Sequence, residues 1–325
     1  MGDLNWQIWQ EADQLVFAFR GHSSQLYLSG AIQTSLIPVE GSDYWVATIR
    51  IRNIECAVIR HWLYRHGHLG QDYIPETLGV WRGRLAPPAP TIAEPLRGTV
   101  RETELFSDRL NTTRRITYYL PPAYTESQRY PVVYMTDGDQ FSDFGFAQVV
   151  EPLIDQDLIP PLVLVAVHAA PFLLHHDRRA EEYVLGINEA VYQKHERFFT
   201  ETVRVWAEAT LNASRDANRR ALMGYSRGAV FAGNMGIRKP GIYGHVMMFS
   251  PGDELQREQS GMTSARFYLL AGTLEDHFYQ ATEHIHRALK SAETDVVFKT
   301  RVAGHASTMW VEEFPRALMW MFNMD

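Results

Sequence analysis

The chain has 325 residues, of which 46% are hydrophobic, and its net charge is −7. This length allows about two domains with buried cores, and the acidic balance without a basic run argues against nucleic acid as a partner. The single cysteine, Cys56, excludes an internal disulfide and any metal site built from several cysteines.

The N-terminus and the hydropathy predict a cytoplasmic protein. The first residues, MGDLNWQIWQEADQ, lack the basic start and the apolar stretch of a signal peptide. No apolar run reaches the ~18 residues that a membrane-spanning helix needs. We therefore expect a protein that does not have a membrane as its partner.

The first part of the chain has the pattern of an antiparallel sheet. Residues 14–66 contain short apolar stretches such as QLVFAFRG and SQLYLSG, which glycine, serine, asparagine and aspartate separate. This spacing predicts a β-sandwich, whose edge strands could pair between two chains in a homodimer. Five of the eight tryptophans lie in the first 81 residues. They either fill the sandwich core or form an aromatic surface for a ring-bearing or sugar ligand.

A proline-rich stretch follows the sandwich. Residues 85–95, LAPPAPTIAEP, contain prolines in close succession, which argues against a helix or a central strand and indicates a linker. We place the domain boundary near residue 100. The expected domains are therefore 1–100, a sandwich with the linker at its end, and 101–325.

The second domain alternates strand and helix patterns. Strands are predicted at 114–122, 130–138, 161–170, 219–226, 243–251, 265–272 and 295–304, and helices at 146–156, 195–211, 227–238, 277–291 and 308–323. The run PLVLVAVHAA is continuously apolar, as in a strand that is buried on both faces. This alternation predicts an α/β fold with a mostly parallel sheet and helices on both faces.

The sequence GYSRG places Ser226 between Gly224 and Gly228, directly after a predicted strand and directly before a predicted helix. The pattern G-x-S-x-G in this setting is typical of a nucleophile elbow, in which a serine lies on a sharp strand-to-helix turn. A lone match to the pattern often arises by chance, but here the strand and helix that the elbow requires are both predicted. Ser226 is therefore the candidate nucleophile.

A serine hydroxyl needs a base to take its proton, and the base needs an acidic group to orient it. In this class of sheet the chain order is serine, then aspartate or glutamate, then histidine, each after a strand. LLAGTLEDHF follows a predicted strand and contains Glu275 and Asp276, and VAGHASTMW follows the last strand and contains His305. The pattern thus predicts a catalytic triad with either acid as its second member.

Two backbone N–H groups are expected to form an oxyanion hole. One belongs to Arg227, the residue after the candidate nucleophile. The second is expected in the loop YMTDGDQF, where Gly138 allows a sharp turn and the N–H of Asp139 is the candidate donor. The alternative is that this loop is a simple turn.

Several motifs together resemble the D-like esterase family of α/β-hydrolases over roughly residues 100–325. They are YLPPAY, YPVVYMTDG, GYSRG, AGTLE and GHASTMW, the last with a tryptophan five residues after the histidine. The resemblance implies an α/β-hydrolase fold, a serine carboxylic-ester hydrolase without a cofactor, and a small-molecule ester substrate. Its AGxxE motif favours Glu275 as the triad acid, in which case Asp276 caps the following helix.

The predicted sandwich before this domain resembles the enterochelin esterase branch, whose members are cytoplasmic and hydrolyse ester bonds of ferric catecholate siderophores. This architecture implies a siderophore-type ester as substrate. The alternative is a general carboxylesterase, or a feruloyl or acetyl carbohydrate esterase with an accessory sandwich. A further alternative is a non-catalytic binding protein on a hydrolase scaffold.

The segment HHDRRAEEY, residues 175–183, follows a predicted strand on the expected active-site side. Arg178 and Arg179 could bind an anionic substrate there, or Arg179 could pair with Glu182 to hold the loop. The adjacent His, His and Asp at 175–177 rarely point at one ion, so we expect no metal site.

Overall fold

The computed structural model describes residues 6–67, 70–171, 177–255 and 263–323. The chain forms two compact units. The first comprises the residues through Ala89 together with Ala271–Asp276 and Thr300–Met309. The second comprises Pro90–Leu270, His277–Lys299 and the residues from Trp310 onward. Two late segments of the sequence therefore belong to the first unit.

The first unit contains two four-stranded antiparallel sheets. Its strands are β1 Trp6–Glu11, β2 Gln14–Arg20, β3 Leu26–Gly30, β4 Thr34–Ser35, β5 Ile37–Pro38, β6 Tyr44–Arg50, β7 Val58–Gly67 and β8 Gly70–Arg82. One sheet has the order β1-β2-β6-β5 and the other β4-β3-β7-β8. Side chains from both sheets share one apolar core, so the expected β-sandwich is confirmed.

The tryptophans lie around the sandwich core and not at its centre. Aliphatic and phenylalanine side chains such as Leu15, Phe17 and Leu63 fill the buried core. Trp6, Trp45 and Trp81 are only partly buried and pack against it, and Trp9 is 37% exposed. Alternation along the strands explains the core, because every second side chain of a strand faces inward.

The third sheet has eight strands. They are β9 Thr99–Ser107, β10 Thr112–Leu120, β11 Val132–Met135, β12 Val163–Val167, β13 Arg220–Tyr225, β14 His245–Phe249, β15 Arg266–Gly272 and β16 Val296–Arg301. Their order is β9-β10-β12-β11-β13-β14-β15-β16. Strands β11 to β15 are parallel to their neighbours among themselves, whereas β9 and β10 are antiparallel. The expected mostly parallel sheet is confirmed.

The helices are α1 Phe141–Phe144, α2 Phe146–Asp155, α3 Arg178–Tyr183, α4 Glu189–Arg197, α5 Arg204–Thr210, α6 Arg227–Arg238, α7 Asp276–Ser291 and α8 Ser307–Phe322. The helix predicted at 195–211 comprises the end of α4, a π-helical segment Phe198–Val203 and α5. The structure has no helix or strand between Arg82 and Thr99, all of which it describes. None of the helices in the described ranges is long and apolar enough to cross a membrane.

Candidate active site

Ser226 lies on the turn that joins β13 to α6. Its backbone dihedral angles are φ 56° and ψ −127°, a left-handed conformation that costs a non-glycine residue about 1–3 kcal/mol. The N–H of Ser226 donates a hydrogen bond to the carbonyl of Phe249 on the neighbouring strand, at 2.9 Å. A sharp, strained turn of this kind directs a side chain away from the end of the sheet.

Both glycines around Ser226 are required by close packing. A Cβ atom on Gly224 would lie 2.1 Å from the carbonyl oxygen of Gly228. A Cβ atom on Gly228 would lie 2.2 Å from the Thr136 hydroxyl, at the end of β11. These distances are far below van der Waals contact, so the spacing G-x-S-x-G reflects the close approach of backbone at Gly224 and of the Thr136 side chain at Gly228.

Aromatic packing holds the strand end before the serine. The ring of Tyr225 stacks on Trp310, with 4.6 Å between centroids, and the Trp310 indole N–H donates to the Ser250 hydroxyl at 2.9 Å. The Tyr225 hydroxyl donates to Gln140 at 3.0 Å. The tryptophan of the motif GHASTMW thus supports the strand that leads to Ser226.

The loop after β11 contains the second candidate oxyanion donor. Asp137 has φ 55° and is buried, and it precedes a 3-10 turn, Gly138–Gln140. A Cβ atom on Gly138 would lie 2.4 Å from the Ala166 carbonyl oxygen, so this turn packs tightly against β12. The side chain of Asp139 accepts a hydrogen bond from the Ala169 N–H at 3.2 Å.

Arg179 binds the loop after β11. Its guanidinium donates to both carboxylate oxygens of Asp137, at 2.6 and 3.0 Å. The expected pairing of Arg179 with Glu182 is wrong, because Glu182 pairs with Arg114. The ring of Tyr183 lies 5.0 Å from the guanidinium of Arg179, and its hydroxyl accepts the Asp137 N–H at 3.2 Å.

The other residues of the segment at 175–183 have separate positions. Arg178 is exposed at the start of α3. Asp177 caps α3 by accepting the Ala180 N–H at 3.0 Å, and it also pairs with the guanidinium of Arg227. His175 and His176, considered above for a metal, lie outside the described residues.

Glu275 and His305 form a hydrogen-bonded pair in the first unit. One carboxylate oxygen of Glu275 lies 2.7 Å from His305 Nδ1, and the other accepts the Gly272 N–H at 2.7 Å. The Glu275 side chain is only 2% exposed, whereas that of His305 is 25% exposed. A carboxylate at Nδ1 fixes the neutral imidazole in the tautomer whose basic lone pair is on Nε2. Asp276, the alternative acid, is exposed in the first turn of α7.

A cavity of about 520 Å³ opens in the first unit, and its wall contains three of the N-terminal tryptophans, Trp6, Trp9 and Trp81. We call it the tryptophan cavity. The ring of His61 also lines it and meets Trp6 edge-on, with 5.3 Å between centroids. Burial lowers the pKa of His61, and the nearby backbone of Ile59 raises it in part. Neither ring nitrogen of His61 has a hydrogen-bond partner among the described residues. The cavity is apolar and aromatic, as the ring-ligand interpretation of the tryptophans requires.

The fold and the positive-φ serine turn together define the class of protein. A serine on a sharp turn between a central parallel strand and a helix, in a mostly parallel sheet covered by helices, is the architecture of the α/β-hydrolases. The family described as "Putative esterase" matches residues 107–321. The chain therefore belongs to this esterase family.

Relatives of the chain include two proteins of Bacillus subtilis (strain 168). The chain is 21% identical to the uncharacterized protein YbbA in an alignment of 250 residues that covers 68% of this chain and 97% of YbbA. It is 27% identical to the uncharacterized protein YjcH over 158 residues, which are 48% of this chain. That alignment spans 63% of YjcH, less than two thirds of its length.

Solved structures with the same fold include esterases. The enterobactin esterase FES from Shigella flexneri superposes with a TM-score of 0.76 at 16% identity, over 98% of this chain and 96% of that one. A ferulic acid esterase from Anaeromyces mucronatus has a TM-score of 0.57 at 17% identity, over 68% of this chain and 90% of that one. At these identities the likeness establishes the fold.

Proposed function

We propose that the chain is a serine carboxylic-ester hydrolase that works through an acyl-enzyme on Ser226. The observation that carries the proposal is the strained backbone of Ser226 between two glycines at which an added Cβ atom would lie only 2.1 and 2.2 Å from its nearest neighbour. The hydrogen bond between Glu275 and His305 supplies the oriented base that such a serine requires. Ser226 directly follows β13, which has a parallel neighbour on each side, as a nucleophile elbow requires.

In the proposed mechanism His305 takes the hydroxyl proton of Ser226 as the serine oxygen attacks the ester carbonyl. The tetrahedral intermediate collapses, the bond to the alcohol breaks, and His305 gives its proton to the departing alcohol. Water then attacks the acyl-enzyme, with His305 again as base, and releases the acid and free Ser226. Glu275 orients the imidazole and stabilises its charged form throughout.

The negative charge on the carbonyl oxygen is proposed to be stabilised by the backbone N–H groups of Arg227 and Asp139. Arg227 is the first residue of α6, and the first N–H groups of a helix have no partner within the helix. Asp139 lies in the 3-10 turn after β11. Oriented backbone donors of this kind contribute about 10²–10³-fold to the rate each.

We propose a siderophore-type ester, an ester linked to catechol rings, as the first candidate substrate. The likeness to the enterobactin esterase extends over both the sandwich and the hydrolase fold, 98% of this chain, which supports this choice. The second candidate is a phenolic or acetyl ester of a carbohydrate, which the likeness to the ferulic acid esterase over 68% of the chain supports. In the second case the sandwich is an accessory module.

A panel of esters tests both parts of the proposal. Purified protein is assayed with 4-nitrophenyl acetate, a cyclic catecholate trilactone with and without iron, methyl ferulate and acetylated xylan. We expect kcat/KM for the trilactone to exceed that for methyl ferulate by at least about tenfold. The reverse order favours the second candidate, and the absence of turnover on every ester favours a non-catalytic binding protein.

Variants separate chemistry from folding in the same assays. Ser226→Ala is expected to lose at least ~10³-fold in kcat and to remain folded. The matched control is Ser127→Ala, an exposed serine, which should keep the activity of the unmodified protein. Near-normal turnover of Ser226→Ala would overturn the serine mechanism.

A further inference from the structure

The short helix α3 is linked to both segments that contain the proposed oxyanion donors. At its start, Asp177 pairs with Arg227, the first residue of α6. Two residues further on, Arg179 pairs with Asp137, in the loop that leads to Asp139. All of these residues belong to the second unit. One element thus contacts the two backbone segments whose separation would set the width of an oxyanion hole.

The contact with the loop after β11 is the stronger of the two. The Arg179 guanidinium bonds both oxygens of Asp137, and the Asp137 side chain is only 3% exposed. Bidentate pairing fixes orientation as well as distance. The backbone N–H of Asp137 also donates to Tyr183, at the other end of α3. The loop is therefore held by α3 through both its backbone and its side chain.

Asp137 adopts the left-handed conformation at φ 55°, which a non-glycine residue keeps only where the surroundings enforce it. Burial raises the pKa of Asp137, and the guanidinium of Arg179 opposes that rise. Without Arg179 the carboxyl group would be a buried charge with no cation beside it, or it would take up a proton. Either change removes the bidentate side-chain restraint on Asp137, and the hydrogen bond from the Asp137 N–H to Tyr183 is then the contact through which α3 still holds the loop.

The contact with α6 is weaker. The side chains of Asp177 and Arg227 are 42% and 44% exposed, and exposed ion pairs stabilise proteins little. A separate contact also joins α6 to the loop after β11, because Gly228 lies directly against Thr136 at the end of β11. The start of α6 and the loop after β11 are thus held side by side.

We propose that α3 acts as a clamp that fixes the two oxyanion donors relative to each other, with Arg179 as a positioning residue that acts through Asp137. This inference rests on the proposed ester hydrolysis. It differs from the expectation that Arg179 binds an anionic substrate, because its guanidinium is already engaged by both oxygens of a buried carboxylate. Arg178, its exposed neighbour, is not part of the clamp.

The primary test compares Arg179→Met with the matched control Arg101→Met, an exposed arginine in β9. The two esters are a neutral one, 4-nitrophenyl acetate, and an anionic one, the 4-nitrophenyl ester of succinic acid. The clamp predicts that Arg179→Met lowers kcat by about 10²-fold or more for both esters, with little change in KM. Arg101→Met should keep the kcat of the unmodified protein. A rise in KM confined to the anionic ester would overturn the clamp and restore substrate binding by Arg179.

A second measurement reports on the oxyanion hole itself. A trifluoromethyl ketone adds to an active serine and forms an oxyanion, so its affinity depends on the two N–H donors. We expect Arg179→Met to weaken this inhibitor by the same factor as kcat/KM. Arg179→Lys keeps the charge but not the bidentate geometry. Its affinity for the inhibitor should lie between those of the unmodified protein and Arg179→Met. Inhibition that stays unchanged while kcat falls would contradict the clamp.

The weaker link has its own variant. Asp177→Asn removes the charge opposite Arg227 and keeps a good capping residue for α3. We expect kcat to fall by no more than about fivefold, as for an exposed ion pair. A loss as large as that of Arg179→Met would show that the link to α6, and not that to Asp137, controls the activity.

A double variant separates positioning from simple stability. In Asp137→Asn/Arg179→Met no charge is left unpaired, so we expect the melting temperature to recover toward that of the unmodified protein. The turn at Asp139 still lacks the bidentate contact that Arg179 makes with Asp137, so kcat should stay low. Recovery of kcat together with stability would overturn the positioning role. If Ser226→Ala is fully active, the proposed hydrolysis fails; if only Arg179→Met is fully active, the clamp alone fails.

Discussion

Adding one methyl group at Gly228 tests whether the packing around the elbow sets both stability and activity. In Gly228→Ala the new Cβ would lie 2.2 Å from the Thr136 hydroxyl and 2.8 Å from a carboxylate oxygen of Asp137. The Thr136 hydroxyl already donates to the Asp137 carboxylate at 3.1 Å, and this hydrogen bond disfavours rotation of the Thr136 side chain away from the new methyl group. The first turn of α6 and the loop after β11 must therefore separate by about 1 Å.

The magnitudes follow from this displacement. Overpacking of this kind costs about 1–3 kcal/mol, which corresponds to a fall in melting temperature of about 3–10 °C for a domain of this size. A misplacement of about 1 Å at a catalytic group costs about 10²-fold in rate, because Ser226 and the proposed donors lie on the two segments that separate. Calorimetry and the kcat for 4-nitrophenyl acetate measure the two effects.

The matched control is Gly236→Ala, in the last part of the same helix. Its Cβ would lie 2.6 Å from a Val246 methyl group and 3.0 Å from the ring of Phe267, so it disturbs the packing of α6 more than two turns away from Ser226. We expect a comparable loss of stability but an unchanged kcat for the folded protein. A Gly228→Ala variant with normal stability and normal kcat would show that the packing at Gly228 controls neither property.

Three further predictions concern the acid, a buried histidine and the tryptophan cavity. Glu275→Gln should lower kcat by roughly 10³-fold or more, since the imidazole loses its tautomer control, whereas Asp276→Asn should remain active; equal losses would contradict the assignment of Glu275. His195 is fully buried, and burial, with the charge of Arg114, holds its pKa well below the ordinary value. At pH values below about 6.5 the His195 imidazole is therefore protonated in the unfolded chain but not in the folded chain. The melting temperature should fall as the pH decreases through that range, and His195→Gln should weaken this pH dependence. If the melting temperature changes with pH equally in both proteins, the prediction is contradicted. If the tryptophans form a ring-binding surface, calorimetric titration with ferulic acid should show saturable binding that Trp9→Ala reduces, and the absence of heat in the unmodified protein would contradict this interpretation.

The elements of the hydrolase fold were predictable where one local signal dominated. The run that forms β12 is continuously apolar because the strand is buried on both faces. The elbow was visible because close packing favours glycine at two positions around Ser226. Strand β9 was missed because its residues TVRETELFS are mostly polar and lie at the antiparallel edge of the sheet.

The contacts that hold the site were not predictable, because they join residues that are far apart in the sequence. The pair between Arg179 and Asp137 spans 42 positions, and a closer acid, Glu182, was the obvious local partner. Glu182 instead pairs with Arg114 from β10. The segments that contain Glu275 and His305 also belong to the same unit as the N-terminal sandwich, which no composition change marks. Ion pairs and unit boundaries depend on which distant residues meet in the folded chain, whereas strands and turns produce patterns in a short stretch of sequence.

The most direct test of the account is whether Ser226 is an activated serine. The purified protein is treated with a fluorophosphonate probe, and the intact mass and the modified peptide are measured in the unmodified chain, in Ser226→Ala and in His305→Ala. We expect one adduct, on Ser226, that is lost in Ser226→Ala and strongly reduced in His305→Ala. A folded, unmodified protein that takes up no probe, or takes it up on another serine, would contradict it.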